Sequence, residues 1–115
     1  ASMASRGGGR IVNGLSAGGF MPGGLYSVSK FALHGLTINL AAELGPKGIH
    51  VAHTIIDGAI DTAFIRDMFP ERYALKAQDG ILNPEHIADA YWMLHTQPRD
   101  AWTHELDLRP YMEKF

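Results

Sequence analysis

Apolar residues fall in segments separated by glycine- and proline-rich stretches, and the spacing within the segments differs. Short, largely β-branched runs occur at 10–15 (RIVNGL) and 49–56 (IHVAHTII). A third run at 104–108 (HELDL) alternates between polar and apolar residues. Continuous apolar runs of this length are typical of buried parallel strands, and alternation is typical of a half-buried strand. The pattern therefore predicts three β-strands.

Two longer segments have helical spacing. Residues 26–44 carry apolar side chains along more than one stripe of a helix, and Gly45-Pro46 predicts its end. Asn83 before Pro84 predicts the start of a second helix that runs to about residue 96. The intervening 63–82 predicts a short helix near 63–68 followed by a mobile stretch. The order strand–helix–strand–helix–strand predicts an α/β fold with right-handed parallel crossovers.

The predicted sheet and its first helix both leave surface uncovered. A sheet of three strands is thin, so one side of the first strand is expected to be an open edge. The helix at 26–44 is apolar over more than one stripe, which predicts cover on two sides. Both features indicate that this chain is part of a larger sheet or docks against a partner.

Composition narrows the class of protein. The chain has 115 residues, of which 46% are hydrophobic and 19% charged, as in a soluble globular domain. Its net charge of -2 gives little attraction to nucleic acid or to an anionic membrane. The absence of cysteine excludes disulfides and thiolate metal sites and is compatible with a cytoplasmic location. The apolar runs are too short to span a bilayer.

The chemistry of the chain centres on a tyrosine and a lysine at the start of the first long helix. Tyr26 and Lys30 are four residues apart and therefore lie on one helical face. A cation one turn from a phenol favours the phenolate, which suits acid–base work. Ser16 ends the first strand and opens a loop with four glycines at 16–25, and DGAIDT at 57–62 follows the second strand.

In this context the sequence resembles the C-terminal half of a short-chain dehydrogenase/reductase. The resemblance runs from GRIVNGLS through YSVSKFALHGLTINLAAELGPKGIHV and DGAIDT to the closing strand. It implies half of a Rossmann-like, doubly wound parallel sheet, with residues 1–115 a partial domain that lacks the N-terminal nucleotide-binding half. It also implies a nicotinamide cofactor, NAD or NADP, a small alcohol or carbonyl substrate, and a homodimer or tetramer.

The resemblance also implies roles for individual residues. Tyr26 corresponds to the family's proton donor or acceptor, and Lys30 to the lysine that holds the nicotinamide ribose and favours the phenolate. Ser16 corresponds to the serine that orients the substrate oxygen. The remaining correspondences place three residues against the nicotinamide carboxamide: Gly58, Ile60 and Thr62. Thr62 is at the same time a candidate helix cap.

Several features depart from the family pattern. Ser16 is closer to Tyr26 than is usual, and Asn13 has the usual spacing but lies within the predicted strand. Asp57 occupies the family's usual proline position, which restores an N–H group and adds a carboxylate near the expected nicotinamide pocket. The glycine fingerprint that binds the dinucleotide phosphates does not occur in this sequence. These 115 residues are therefore expected to turn over nothing by themselves.

A second interpretation is a non-catalytic short protein that dimerises through the helix at 26–44. Metal binding is not predicted, because no pair among the six histidines has ligand spacing along the chain. His50 and His53 are expected on opposite faces of their strand, and His34 is expected at an interface or the surface. The tail aromatics Tyr111 and Phe115 are expected to pack against the domain or a partner copy.

Overall fold

A computed structural model of the chain describes residues 1–16 and 22–114. All three predicted strands and both predicted long helices are present. The elements in chain order are α1 (Ser2–Ser5), β1 (Gly9–Ser16), α2 (Leu25–Leu44), β2 (Ile49–Ile56), α3 (Ala63–Met68), α4 (Pro70–Tyr73), α5 (Pro84–Thr96) and β3 (Glu105–Leu108), with 3₁₀ turns at Gly45–Lys47 and Ala74–Gln78.

The three strands form one parallel sheet in the order β1-β2-β3. β1 and β2 pair along their whole lengths, with Ser16 opposite Ile56 at the carboxyl end. β3 pairs with the second half of β2, beginning at His53 opposite Glu105. The predicted α/β class is therefore confirmed, and β1 is an edge strand within the described residues. The carboxyl ends of the strands meet at one edge of the sheet, where ligand sites of such folds are found.

Helices cover both faces of the sheet, and a partly buried hydrogen bond joins each long helix to a strand. Asn13 of β1 donates through Nδ2 to Thr37 Oγ1 of α2 at 2.9 Å. On the other face, the hydroxyls of Thr54 in β2 and Tyr91 in α5 lie 2.9 Å apart. Every residue of β2 except its last is buried, as expected for a central parallel strand. The apolar core consists of Leu15, Ile49, Val51, Ala52, Ile55, Ile81 and Leu94.

The predicted helix boundaries are largely observed. Asn83 Oδ1 accepts a hydrogen bond from the Glu85 amide at 2.9 Å, which confirms Asn83 as the cap of α5. The end of α2 differs in detail from the prediction. Gly45 keeps a helical φ of -54°, and the chain first turns left-handed at Gly48, with φ 77°. The intervening 3₁₀ turn carries Pro46 and leads directly into β2.

The stretch after α3 contains more regular structure than the sequence predicted. It forms α4 and a 3₁₀ turn, where a mobile segment was expected. Lys76 Nζ lies 2.7 Å from Asp61 Oδ2, and Ile60 forms a parallel bridge with Leu82. These contacts join the two ends of the segment to each other, which sequence spacing does not reveal. The segment is therefore tied back to the turn that follows β2.

Part of the apolar surface predicted on α2 is open in this chain. Exposed apolar side chains on this helix are Leu25, Val28, Phe31, Leu36 and Ile38. That a larger sheet or a partner covers this face stays a prediction. Tyr111 is 78% exposed and does not pack against this domain, so its packing against a partner copy stays a prediction. Phe115 lies outside the described residues. In the described residues no helix is both long and apolar enough to cross a membrane.

Candidate active site

A cavity of about 430 Å³ opens at the carboxyl ends of β1 and β2, beside the first turns of α2. All six residues that the sequence singled out border this one cavity. Its lining residues are Gly14, Leu15, Ser16, Tyr26, Lys30, Ile56, Gly58, Ala59, Ile60, Thr62, Phe64 and Ile65. The structure thus brings the predicted site residues together, and the roles assigned to them stay predictions.

Tyr26 and Lys30 lie on one face of α2, as their spacing predicted. Lys30 Nζ is 5.7 Å from the centre of the Tyr26 ring, within the range of a cation–π contact. Tyr26 lines the cavity and is 53% exposed. The helix begins at Leu25, which positions both side chains within its first two turns.

Ser16 lines the cavity and Asn13 does not. Ser16 is the last residue of β1 and therefore lies at the carboxyl edge of the sheet. Asn13 is inside the strand, and its amide is bound to Thr37, about three turns along α2 from Tyr26. Which of the two residues takes the role of the family's serine stays a prediction. Residues 17–21, which include Gly18 and Gly19, lie outside the described residues.

The turn between β2 and α3 forms the opposite wall. Gly58 has φ +140°, and a Cβ atom added there would lie 2.8 Å from Pro110 Cδ. Both the backbone conformation and the space therefore favour glycine. Thr62 Oγ1 accepts a hydrogen bond from the Ile65 amide at 3.3 Å, so Thr62 caps α3 and lines the cavity at the same time.

Asp57 directs its carboxylate to an arginine instead of the cavity. Arg109 Nη1 lies 3.3 Å from Asp57 Oδ2, and each side chain is only 19% exposed. The Asp57 amide donates to the Leu108 carbonyl at 2.9 Å. This hydrogen bond extends the pairing of β2 and β3 by one residue. A proline could not make it, so the departure from the family pattern ties the two strands together.

A second cluster of polar residues, away from the cavity, was missed from the sequence. It consists of His34 in α2, His53 in β2 and Glu105 in β3. His34 was expected at an interface or the surface, but its side chain is only 17% exposed and its ring lies 4.6 Å from that of His53. These residues are far apart in sequence, so ligand spacing gives no signal. Only the pairing of β2 with β3 could have indicated that His53 and Glu105 lie side by side.

His50 and His53 face opposite sides of the sheet, as predicted. His50 Nε2 lies 2.7 Å from the Thr103 carbonyl, and its ring stacks on that of Trp102 with centres 4.8 Å apart. His53 Nε2 lies 2.9 Å from Glu105 Oε1. Only His53 therefore belongs to the second cluster.

Comparison with known proteins identifies the family. The family profile described as short chain dehydrogenase matches residues 1–72. The chain belongs to the short-chain dehydrogenase family. An oxidoreductase of Staphylococcus epidermidis is 35% identical to this chain over 106 residues. The matched region covers 89% of the chain and 43% of the relative. The resemblance to short-chain dehydrogenases predicted from the sequence around Tyr26 and Lys30 is thereby confirmed.

Solved structures of the short-chain dehydrogenase family have the same fold. A short-chain dehydrogenase from Rhodopseudomonas palustris is 32% identical, with a TM-score of 0.65 over 95% of this chain and 42% of that one. A 3-oxoacyl-[acyl-carrier protein] reductase from Brucella melitensis, solved with bound NAD, is 28% identical, with a TM-score of 0.73 over 93% of this chain and 42% of that one. This short-chain dehydrogenase chain thus spans less than half the length of these relatives.

Proposed function

We propose that this chain supplies the catalytic half of an NAD(P)-dependent oxidoreductase that interconverts an alcohol and a carbonyl compound. The observation that carries the proposal is the cavity itself. Ser16, Tyr26 and Lys30 come from two separate elements and border the same space at the carboxyl edge of a parallel sheet. Membership of the short-chain dehydrogenase family supports the same chemistry.

The lining of the cavity suits the nicotinamide end of a dinucleotide. Apolar side chains of Ile56, Ile60 and Phe64 offer a surface for a flat ring. The hydroxyl of Thr62 and the ammonium of Lys30 lie at the same cavity and can bind a carboxamide and a ribose. The bound nicotinamide would supply the hydride. The residues present therefore fit this part of the cofactor.

Proton transfer is assigned to the chain's own side chains. The Tyr26 hydroxyl gives a proton to the substrate oxygen during reduction and takes it back during oxidation. Ser16 donates a hydrogen bond to the same oxygen and fixes its position. The positive charge of Lys30 stabilises the tyrosinate left after proton transfer. Lys30 Nζ lies 5.7 Å from the centre of the Tyr26 ring, near enough for its charge to act on the phenolate.

We further propose that residues 1–115 form a partial dinucleotide-binding domain. The sequence has no glycine fingerprint for the pyrophosphate, and β1 is an edge strand among the described residues. A neighbouring strand from an N-terminal half would pair there. The purified chain is accordingly expected to show no dehydrogenase turnover with either NADH or NADPH, and measurable turnover would contradict this part of the proposal.

A chimera tests the catalytic assignment. This chain would replace the matching segment of the Brucella melitensis reductase, which then supplies the cofactor-binding half. NADH and NADPH oxidation would be followed with 3-oxoacyl substrates and a panel of small ketones. Tyr26→Phe is expected to lower kcat at least about 100-fold, since acid–base catalysis contributes on this scale. Tyr111→Phe is the matched control, because that tyrosine is exposed and away from the cavity. A folded chimera that reduces nothing, or equal rates for both variants, would contradict the assignment.

A further inference from the structure

The second polar cluster joins three elements of the fold outside the candidate active site. His53 Nε2 lies 2.9 Å from Glu105 Oε1, and His34 Nδ1 lies 3.8 Å from the same oxygen. One ligand atom from each residue lies within 4.8 Å of the other two. None of the three lines the cavity that holds Tyr26. The proposed oxidoreductase chemistry leaves this cluster unused.

The fold holds the cluster in place through the sheet. His53 and Glu105 are register partners on the adjacent strands β2 and β3, so their side chains stand on one face. α2 packs over that face and brings His34 to them. The side chain of His53 is 1% exposed, whereas that of Glu105 is 48% exposed. The cluster therefore has a fixed buried end and an end that water can reach.

A third histidine lies beside the cluster but is engaged elsewhere. The ring centre of His104 is 4.9 Å from that of His53, and its Nδ1 lies 3.2 Å from the Val51 carbonyl. The cluster is therefore limited to His34, His53 and Glu105.

We propose that His34, His53 and Glu105 form a binding site for a divalent transition-metal ion, with Zn²⁺ the best match. Two imidazole nitrogens and one carboxylate oxygen are a common zinc ligand set, in which water takes the fourth position. The half-exposed side of Glu105 provides access for that water.

The distances require only a small adjustment. Zinc bonds of about 2.0–2.2 Å in a tetrahedron place ligand atoms about 3.4 Å apart. The 2.9 Å pair must open slightly, and the widest separation, at most 4.8 Å, must close by up to about 1.4 Å. Because both separations to Glu105 are shorter, 2.9 and 3.8 Å, the widest one joins the two histidines. Closing it requires a shift of the His34 ring, whose side chain is 17% exposed, toward the buried His53.

His53 Nε2 now donates a proton to the Glu105 carboxylate, so a metal ion that binds Nε2 replaces this N–H group. The ring stays neutral if the proton moves to Nδ1, which is buried and has no hydrogen-bond partner among the described residues.

The alternative is a purely structural cross-strand hydrogen bond between His53 and Glu105, and metal titration separates the two. The untagged, EDTA-treated chain would be titrated with Zn²⁺ by calorimetry and with Co²⁺ by visible absorption. The proposal expects one ion per chain and a tetrahedral cobalt spectrum. Glu105→Gln and His34→Gln should each weaken binding at least about tenfold. Both sites are partly exposed, so these variants avoid the buried His53 position.

His86→Gln is the matched control, since His86 is an exposed histidine on α5. It should bind zinc like the unmodified chain. Binding should weaken on acidification, because protons compete with the metal ion for the imidazole and carboxylate ligands. Zinc should raise the urea midpoint of the unmodified chain but not that of Glu105→Gln. The absence of saturable binding up to millimolar zinc, or binding that survives both cluster substitutions, would overturn the proposal.

Discussion

The turn at Gly58 allows a quantitative test of how the cavity wall is built. Replacing Gly58 by alanine puts a Cβ atom 2.8 Å from Pro110 Cδ and forces a side chain onto a residue with φ +140°. An unfavourable backbone conformation of this kind costs about 1–3 kcal/mol, and overpacking costs about 1–3 kcal/mol. Pro110 follows β3, and its ring is rigid. The structure around the added Cβ atom can therefore relax only slightly. We expect Gly58→Ala to lower the free energy of unfolding by at least about 2 kcal/mol.

Urea denaturation followed by far-UV circular dichroism measures this loss, and Gly35→Ala is the matched control. Gly35 lies inside α2, and no atom lies within 4 Å of an added Cβ there. Alanine in a helix interior is favoured over glycine, so Gly35→Ala should raise the free energy of unfolding by up to about 1 kcal/mol. A Gly58→Ala variant as stable as the unmodified chain would refute the described turn.

Three further predictions concern the core and the sheet. Leu94→Ala empties a fully buried position on α5 and should cost about 2–5 kcal/mol by urea denaturation. A double-mutant cycle of Thr54→Val and Tyr91→Phe should give a coupling energy of about 0.5–1.5 kcal/mol, and additive effects would contradict the hydrogen bond. Because burial lowers the pKa of His53, the unfolded chain binds the proton more tightly. Stability should therefore fall below about pH 6.5, by at most about 1.4 kcal/mol per pH unit, and further as Glu105 takes up a proton. A urea midpoint that does not change between about pH 7.5 and 5.5 would contradict this pH dependence.

The fold was largely predictable because its signals are local. The apolar run of β2 and the long helical pattern of α2 each specify an element without knowledge of the rest. The contact of Tyr26 with Lys30 follows from helix geometry alone. The position of Ser16 at the cavity was predictable because Ser16 ends β1, and the carboxyl ends of parallel strands meet at one edge of the sheet.

Features that depend on contacts between distant residues were not predictable. The ion pair of Asp57 with Arg109 joins the ends of two neighbouring strands, and sequence reasoning placed that carboxylate near the nicotinamide pocket instead. The proximity of His34, His53 and Glu105 depends on the register of β2 with β3 and on the seating of α2. Neither is encoded in spacing along the chain.

The central claim is that this chain forms the nicotinamide end of a dinucleotide site, and amide chemical-shift mapping tests it directly. The labelled chain would be titrated separately with nicotinamide mononucleotide and with ADP-ribose. We expect the nicotinamide compound to shift the amides of Gly58, Ile60 and Thr62 saturably, and Lys30→Ala to weaken the effect. ADP-ribose should leave these amides unchanged. Unchanged cavity amides with the nicotinamide compound, or the same response to ADP-ribose, would contradict the account.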